Sequence, residues 1–395
     1  MKILVINCGS SSIKYKLYDA RTENELAGGL IERIGEQSSH TVHKCGGAAF
    51  ERDNRIADYE MGIGQILDLL TTCGDPPPIE RAEEIAGAGH RVVHGGERFA
   101  DSVRIDARVL DAIDHCADLA PLHNPANLAG IRATMKLLRT KPQVAVFDTA
   151  FFQTMPPAAY TYAVPHAWYD QYRVRRYGFH GTSHRFVAAQ AAALLGKAKP
   201  NLITLHLGNG GSMTCIRDGA AVDQTMGLTP LEGLVMGTRC GDIDPAIVFY
   251  MLGKGLSPDA VRRALEKESG LLGVSGVSRD LRDVMSAAQE GNARAALAVE
   301  VFAHRARKYV GAFLAELGTC DAVVFTGGIG ENSPPMRARI LDGLAPLGID
   351  LDAQRNDARG SEPFAITADG SRIAAWVIPT NEELMIARDT VRLIA

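Results

Sequence analysis

The sequence predicts an α/β fold divided into two domains, and three observations carry that prediction. Short β-rich runs alternate with amphipathic segments along the chain, the pattern of strands and helices packed in layers. At 395 residues the chain is too long for one ordinary core and long enough for two. A glycine- and hydroxyl-rich turn occurs twice, NCGSSS at 7–12 and LGNGGS at 207–212. Each lies between two strand-like runs and reads as a hairpin with a small-residue tip. Gly and Ser let backbone N–H and side-chain O–H groups come close to an anion, so such tips suit phosphate. Two of them suggest two related domains gripping one polyphosphate.

The elements follow in order. Strands are predicted at 3–6 and 13–18 around the first tip, at 90–93 and 144–147, at 202–207 and 213–216 around the second tip, and at 322–325 and 374–378. Helices are predicted at 61–70, 126–138, 183–195, 245–252 with Asp244 as N-cap, 293–317 and 383–394, from apolar periodicity and capping residues. Residues 37–58 are polar and weakly patterned and read as an extended insertion. Residues 151–176, rich in Pro and Tyr without helical period, read as a crossing between domains or a loop lining a cleft. The predicted domains are 1–150 and 151–382, with a final helix at 383–395 packing back on the first.

Composition excludes several classes. Hydrophobic residues at 46% and charged residues at 22% are those of a soluble globular protein. A net charge of −4 offers no attraction to nucleic acid or an anionic membrane. The one basic cluster, Arg173, Arg175 and Arg176, reads as a solvated loop. Seven cysteines (Cys8, Cys45, Cys73, Cys116, Cys215, Cys240 and Cys320) without a CxxC spacing argue against a disulfide framework and a zinc site, and for reduced thiols in a cytoplasmic protein. The apolar run after Lys2 is too short for a signal-peptide core, and no stretch approaches a membrane span.

The chain holds no GxxxxGK[ST], and neither LGNGGS nor TGGIGEN completes GxGxxG, which removes the P-loop, protein-kinase and dinucleotide readings. A third glycine-rich loop, 326–332, follows the strand at 322–325 and precedes a helix starting near Pro334 or Pro335; a tight Gly turn there can lie beneath a purine. The pairs His180/His184 and His90/His94 have a spacing that invites zinc. HGTSH lacks the Glu of HExxH, however, and HRVVH lies on a predicted strand, where i and i+4 are too far apart for one metal. His184 reads as a structural residue at a helix start.

NCGSSSIK (7–14) and GFHGTSH (178–184) resemble the two signature segments of the acetate kinases. The resemblance continues in order through GHRVVHGG, PLHNP, FDTAF, HLGNGGS, GTRCGDIDP, SGVSRDLRD, FTGGIGEN and PTNEE. It implies two duplicated actin-like (ribonuclease H-like) domains with an interdomain nucleotide cleft. It also implies reversible transfer of the ATP γ-phosphoryl group to a short carboxylate, with Mg²⁺ (or Mn²⁺) as cofactor, in a cytoplasmic homodimer that dimerises through the second domain. The chemistry explains the residue types. Acetate is already ionised at neutral pH, so no strong base is needed to activate it. The difficulty is bringing an anion against a polyanion and stabilising the transferring group.

The resemblance places the carboxylate-binding arginine at Arg91 and transition-state donors at Arg239 and His180. Asp148, ending a strand, matches the family's active-site aspartate; the nucleophile's pKa favours a role in placing metal-bound water over proton transfer. Asn7 and Glu382 are implied near the metal, Glu382 being chosen over Glu383 from the alignment of TNEE, and Lys14 on the nucleotide phosphates with Ser10 and Ser12 as further donors. His206, Leu207, Gly208, Asn209 and Gly210 are implied at the phosphates. Asp280, Leu281 and Arg282 are implied at the ribose and base, although such charges are also common at solvated helix starts. Gly328, Ile329, Gly330, Glu331 and Asn332 are implied at the adenosine.

The small hydrophobic substrate pocket corresponds to Val93, Leu122, Phe179 and Pro230, and Val at position 93 favours acetate over propionate. Cys8 and Cys240 depart from the usual pattern and raise an expectation of oxidation sensitivity. Three rival readings remain: a propionate or other short-chain acyl kinase; a sugar kinase, which needs a base facing a hydroxyl and has no use for Arg91; and a non-enzymatic actin-like or chaperone ATPase, which needs no GFHGTSH.

Overall fold

The structure, a computed structural model, describes residues 1–121 and 123–395. They form two compact units, one of residues 1–153 with 381–395 and the other of residues 154–380.

The first unit is built on a sheet of eight strands: β1 (Lys2–Gly9), β2 (Ser12–Asp19), β3 (Asn24–Glu32), β4 (Ser39–Cys45), β5 (Ala48–Asn54), β6 (Ile85–Val92), β7 (Val103–Arg104) and β8 (Gln143–Phe147), in the order β5-β4-β3-β2-β1-β6-β8-β7. β1 is buried on both faces, and the alternation of its side chains sorts them. Leu4 and Ile6 join Ile63, Ile66 and Leu70 of the Tyr59–Thr72 helix. Ile3 and Val5 join Val144, Val146 and Ile386, so the Glu382–Ile394 helix covers the opposite face. That helix lies close on β6: a Cβ on Gly89 would stand 2.2 Å from the Thr390 hydroxyl, and one on Gly87 2.7 Å from Ile394 Cδ1.

The second unit carries six strands: β9 (Leu202–Leu207), β10 (Gly211–Arg217), β11 (Ala220–Gln224), β12 (Ala322–Thr326), β13 (Phe364–Ala365) and β14 (Ala374–Val377), in the order β11-β10-β9-β12-β14-β13. The Ala293–Leu317 helix packs on it through Ala295, Val299, Phe302, Ala306, Val310 and Phe313, a stripe at helical period. Asn292 caps its start by accepting from the Ala295 N–H, and Gly318, at φ +71°, ends it.

The two sheets repeat one topology. In the first, β1, β2 and β3 pair antiparallel in succession, and β6 and then β8 add parallel to the free side of β1. In the second, β9, β10 and β11 do the same, followed by β12 and β14. Both sheets close with a two-residue antiparallel edge strand, β7 and β13. The first unit adds the hairpin β4–β5 beyond its third strand.

Several sequence expectations need correcting. Residues 37–58 hold that ordered hairpin, paired in register along β3, so the polar pattern marks an exposed sheet edge. Residues 326–332 form the short Gly327–Asn332 helix, because Gly327, at φ +76°, turns the chain straight from β12 into a helix. The N-cap of the Ala246–Gly253 helix is Pro245; Asp244 stands one residue earlier and accepts from the Ala246 N–H at 2.9 Å. Residues 151–176 contain the short helices Pro157–Tyr160 and Ala167–Tyr172. Two of the three clustered arginines are not solvated. Arg175 is 5% exposed and lies 3.6 Å from the Tyr160 ring centre. Arg176 donates to Glu232 at 2.8 Å and to the Gln224 carbonyl. Among the described residues, no helix is long and apolar enough to cross a membrane.

Candidate active site

In the first unit, the functional side chains gather where β1, β6 and β8 end. β1 and β2 meet in a two-residue turn, Ser10 and Ser11, with Gly9 opposite Ser12. Tyr59 anchors the tip by donating to the Gly9 carbonyl at 2.6 Å. Asn7 and Lys14 are cross-strand partners just below it. Arg91 leaves β6 and Asp148 follows β8, and the two form a fork: Arg91 Nε donates to Asp148 Oδ1 at 3.0 Å and Nη2 to Oδ2 at 2.7 Å. Asp148 is 1% exposed, whereas the Arg91 side chain keeps 22%. Glu382, at the start of the final helix, brings Oε2 within 3.8 Å of Arg91 Nε. Burial raises the Glu382 carboxyl to about 7, with Asp148 and Glu383 pushing the same way against Arg91 and Lys14. Glu383 is 4.0 Å from Lys16, so the geometry separates the two glutamates.

Residues that sequence reasoning passed over hold this constellation. Asn127 donates to the Cys8 carbonyl at 2.7 Å and accepts from the Val93 N–H at 3.1 Å, tying the end of β1 to the end of β6. Asn124 accepts from the His94 N–H and donates to the His94 carbonyl, and Thr149 Oγ1 accepts from the Gly95 N–H. Asn124 lies in PLHNP and Thr149 in FDTAF, whereas Asn127 carried no signal, because a buried Asn bridging two loops has no periodicity. His90 bonds Gln143 at 2.7 Å, and burial drives both His90 and His94 down to about 4; both are neutral structural groups. Cys8 is 4% exposed and its thiol is pushed up to about 12 by burial, which removes the expected oxidation sensitivity at that position. Burial also raises the Cys240 thiol, which donates to the Gly241 carbonyl.

In the second unit, β9 and β10 leave the three-residue tip 208–210 between Leu207 and Gly211. The Leu207 side chain itself points into the core, so only its backbone belongs to the tip. Arg239 lies over this tip: a Cβ on Gly210 would stand 3.4 Å from its Nη2. Its guanidinium donates to the Pro230 carbonyl at 2.8 Å and meets Met236 Sδ at 3.4 Å. Burial lowers its pKa, with Glu266 the one carboxylate pulling the other way. A cation held by neutral acceptors is poised for an anionic ligand.

His180 precedes the Gly181–Leu194 helix in a left-handed conformation, φ +60°, which turns its ring toward β9 and β10. Its Nδ1 is 2.9 Å from Ser212 Oγ, and its ring stacks on His206 at 4.5 Å. His184 is fully buried on the next turn. Phe179 is 2% exposed, with its carbonyl held by Gln224, and Val93 in the first unit is 9% exposed. Leu122 lies outside the described residues.

A cavity of about 600 Å³ in the second unit is lined by Gly208, Asn209, Asp280, Leu281, Arg282, Gly328, Ile329 and Asn332, together with Arg279, Met285 and Ser333, which sequence reasoning did not single out. Asp280 caps the Leu281–Gln289 helix and is forked by Arg282, which holds its carboxyl down at about 2. Two further residues expected at the adenosine lie outside this lining and make contacts within the fold. Glu331 Oε1 accepts from the N–H groups of Gly327 and Thr380, and the Gly330 carbonyl accepts from buried Arg337.

Among the described residues, no three His, Cys, Asp or Glu side chains gather as a metal-binding cluster. Mg²⁺ does not require one, because it retains waters and takes one or two carboxylates alongside phosphate. The half-buried Glu382 and the buried Asp148 beside the Asn7 strand end fit that sparse demand: desolvation and mutual repulsion hold the Glu382 carboxyl at about 7, and a divalent cation relieves such a pair.

The model of the Acetokinase family matches residues 2–388. The acetate kinase of Treponema denticola is 52% identical over 398 residues, covering 100% of both chains. The acetate kinase of Porphyromonas gingivalis superposes with a TM-score of 0.96 at 44% identity over 100% of both chains. A propionate kinase from Francisella tularensis does so at 0.93 and 44% identity, over 99% of both. A family match over nearly the whole length, on a fold that repeats one sheet topology twice and carries a phosphate-suited tip in each copy, makes this chain a member of the acetokinase family, a kinase with ATP or ADP as co-substrate.

Proposed function

We propose that the protein is an ATP:acetate phosphotransferase, moving the γ-phosphoryl group of ATP reversibly to acetate and giving acetyl phosphate and ADP by direct in-line transfer. The observation that carries this reading is the Arg91–Asp148 fork. A sugar kinase needs its aspartate exposed to take a proton from a hydroxyl. Here both Asp148 oxygens accept from a guanidinium, which suits a substrate that arrives already ionised. Asp148 therefore orients Arg91 and does not act as a base. Since Nε and Nη2 serve Asp148, the acetate carboxylate takes the Nη1 edge of the guanidinium. Arg239 and His180 donate to the transferring phosphoryl group, whose charge spreads over its equatorial oxygens.

ATP occupies the 600 Å³ cavity of the second unit, with the 206–210 tip at its phosphates; Lys14, Ser10 and Ser12 are the first unit's phosphate donors. Asn7 and Glu382 would hold Mg²⁺, or Mn²⁺ in its place; the ion when bound neutralises phosphate charge. In the first unit Val93 supplies the apolar contact for the acyl group, and its bulk favours acetate over propionate. One or two methyl groups alter discrimination by only about 1–3 kcal/mol, so propionate is a poor substrate, not an excluded one. Reduced, unpaired cysteines suit the cytoplasm. We also infer a homodimer: none of the eight residues of the Ala246–Gly253 helix, AIVFYMLG, is buried, and Phe249 and Tyr250 are 72% and 62% exposed, an apolar surface that calls for a partner.

The test is to trap acyl phosphate as hydroxamate, supplying ATP, Mg²⁺ and carboxylates from formate to butyrate. The expected result is acetyl hydroxamate at the highest kcat/KM, with propionate second. ATP hydrolysis without acyl hydroxamate from any acid would overturn the reading.

A further inference from the structure

Beneath His180 runs a buried line of hydrogen-bonding groups. Thr204 Oγ1 on β9 lies 2.7 Å from His184 Nδ1, His184 Nε2 lies 2.8 Å from Ser212 Oγ on β10, and Ser212 Oγ lies 2.9 Å from His180 Nδ1. Thr204, His184 and Ser212 are each 0% exposed. Such a line has two self-consistent polarities. In one, the Thr204 hydroxyl donates to His184 Nδ1, His184 Nε2–H donates to Ser212, and Ser212 donates to His180 Nδ1. In the other every bond is reversed and the Thr204 hydrogen must find another acceptor. His184 is the side-chain partner of that hydroxyl, and a buried donor left without an acceptor costs about 1–3 kcal/mol. The first polarity gives an acceptor to each of the Thr204, His184 and Ser212 hydrogens. Burial, with the neighbouring His206 charge, also drives the His184 pKa well below its ordinary value, so His184 carries one proton and passes on one direction.

We propose that Thr204, His184 and Ser212 are positioning residues that act through a one-way hydrogen-bond relay to hold His180 as the neutral tautomer protonated at Nε2. The relay rests on the proposed role of His180 at the phosphoryl group. With Nδ1 accepting from Ser212, the ring's one N–H stands at Nε2, and the direction of the imidazole is set by two strands instead of by the ligand. Orienting partners one step behind a working histidine commonly matter by roughly 10–100-fold.

The experiment is imidazole ¹⁵N NMR on the full-length protein labelled at histidine, with the His180 signals assigned by their loss in His180→Asn. The wild type is expected to show His180 with a protonated Nε2 and an unprotonated Nδ1 at neutral pH. Ser212→Ala should abolish that single-tautomer pattern and lower kcat roughly tenfold or more, with the KM values for ATP and acetate changing less than about threefold. Thr204→Val should do the same more weakly, and Thr204→Ser, which keeps the hydroxyl, should recover most of the loss. A His180 proton on Nδ1 in the wild type, or a Ser212→Ala variant with unchanged tautomer and kcat, would overturn the relay. If the tautomer is as stated but His180→Asn keeps wild-type kcat, the phosphoryl-donor reading fails and the relay does not.

Discussion

At the scale of single residues, the site depends on cations whose counter-charges differ in kind. Arg91 is balanced by Asp148, so Arg91→Ala removes both the proposed substrate contact and the partner of a buried carboxylate. Loss of one member of a buried pair typically costs about 3–5 kcal/mol. The variant should therefore unfold at lower denaturant as well as lose acetate turnover, while any folded fraction still binds ATP. Equal urea midpoints and an unchanged acetate KM would contradict both assignments. Arg239 is held by a carbonyl and a thioether, and its removal strands no carboxylate. Arg239→Ala should leave the unfolding midpoint nearly unchanged and reduce kcat by about 10²–10³. A kcat within threefold of wild type would remove Arg239 from the mechanism. The contrast between the two variants follows from geometry, since as letters in motifs both were simply arginines.

At the scale of elements, close packing gives sharper expectations than propensity. Gly130 lies inside the Asn124–Leu137 helix, where alanine is ordinarily favoured by about 1 kcal/mol. A Cβ there would stand 2.2 Å from Cys8 Sγ, so Gly130→Ala should lower the melting temperature by forcing the helix off β1, and Cys8→Ala should rescue it; a more stable single variant would refute the contact. Buried His90, His94 and His184 make the elements acid-sensitive. Their folded pKa values lie below the ordinary one, so the unfolded chain binds more protons between about pH 6.5 and 4, and stability falls as pH falls through that window. For His90 alone this amounts to about 2 kcal/mol at pH 5, checked by urea midpoints at pH 7 and pH 5 in wild type and His90→Gln.

The central strands were legible because they are apolar throughout. β3 was not, for it carries Gly28 and Gly29, and a Cβ on Gly29 would stand 2.4 Å from the Val42 carbonyl and 2.6 Å from the Tyr15 hydroxyl. Those glycines answer to neighbours distant in sequence, as do Asn124 and Asn127. The motif residues of the candidate site stood out by resemblance, whereas Thr204 and Asn127 lay inside a strand and a helix, and Ser212, although it ends LGNGGS, gave no sign of its contacts with His184 and His180.

At the scale of the whole molecule, the apolar Ala246–Gly253 helix predicts self-association. Sedimentation should give a dimer for the wild type, and replacing Phe249 and Tyr250 by Glu should give monomers; a wild-type monomer at micromolar concentration would defeat the inference. The discontinuity of the first unit has another consequence, for the order of assembly during synthesis. Its sheet is translated early, yet the helix that roofs β1, β6 and β8 is translated only after the entire second unit. The second unit is one continuous stretch and can close as soon as it has emerged. The first must wait with Ile3, Val5, Val144 and Val146 unroofed, so the nascent chain presents a sticky, half-finished sheet for most of its time on the ribosome. That interval is when chaperones have something to hold.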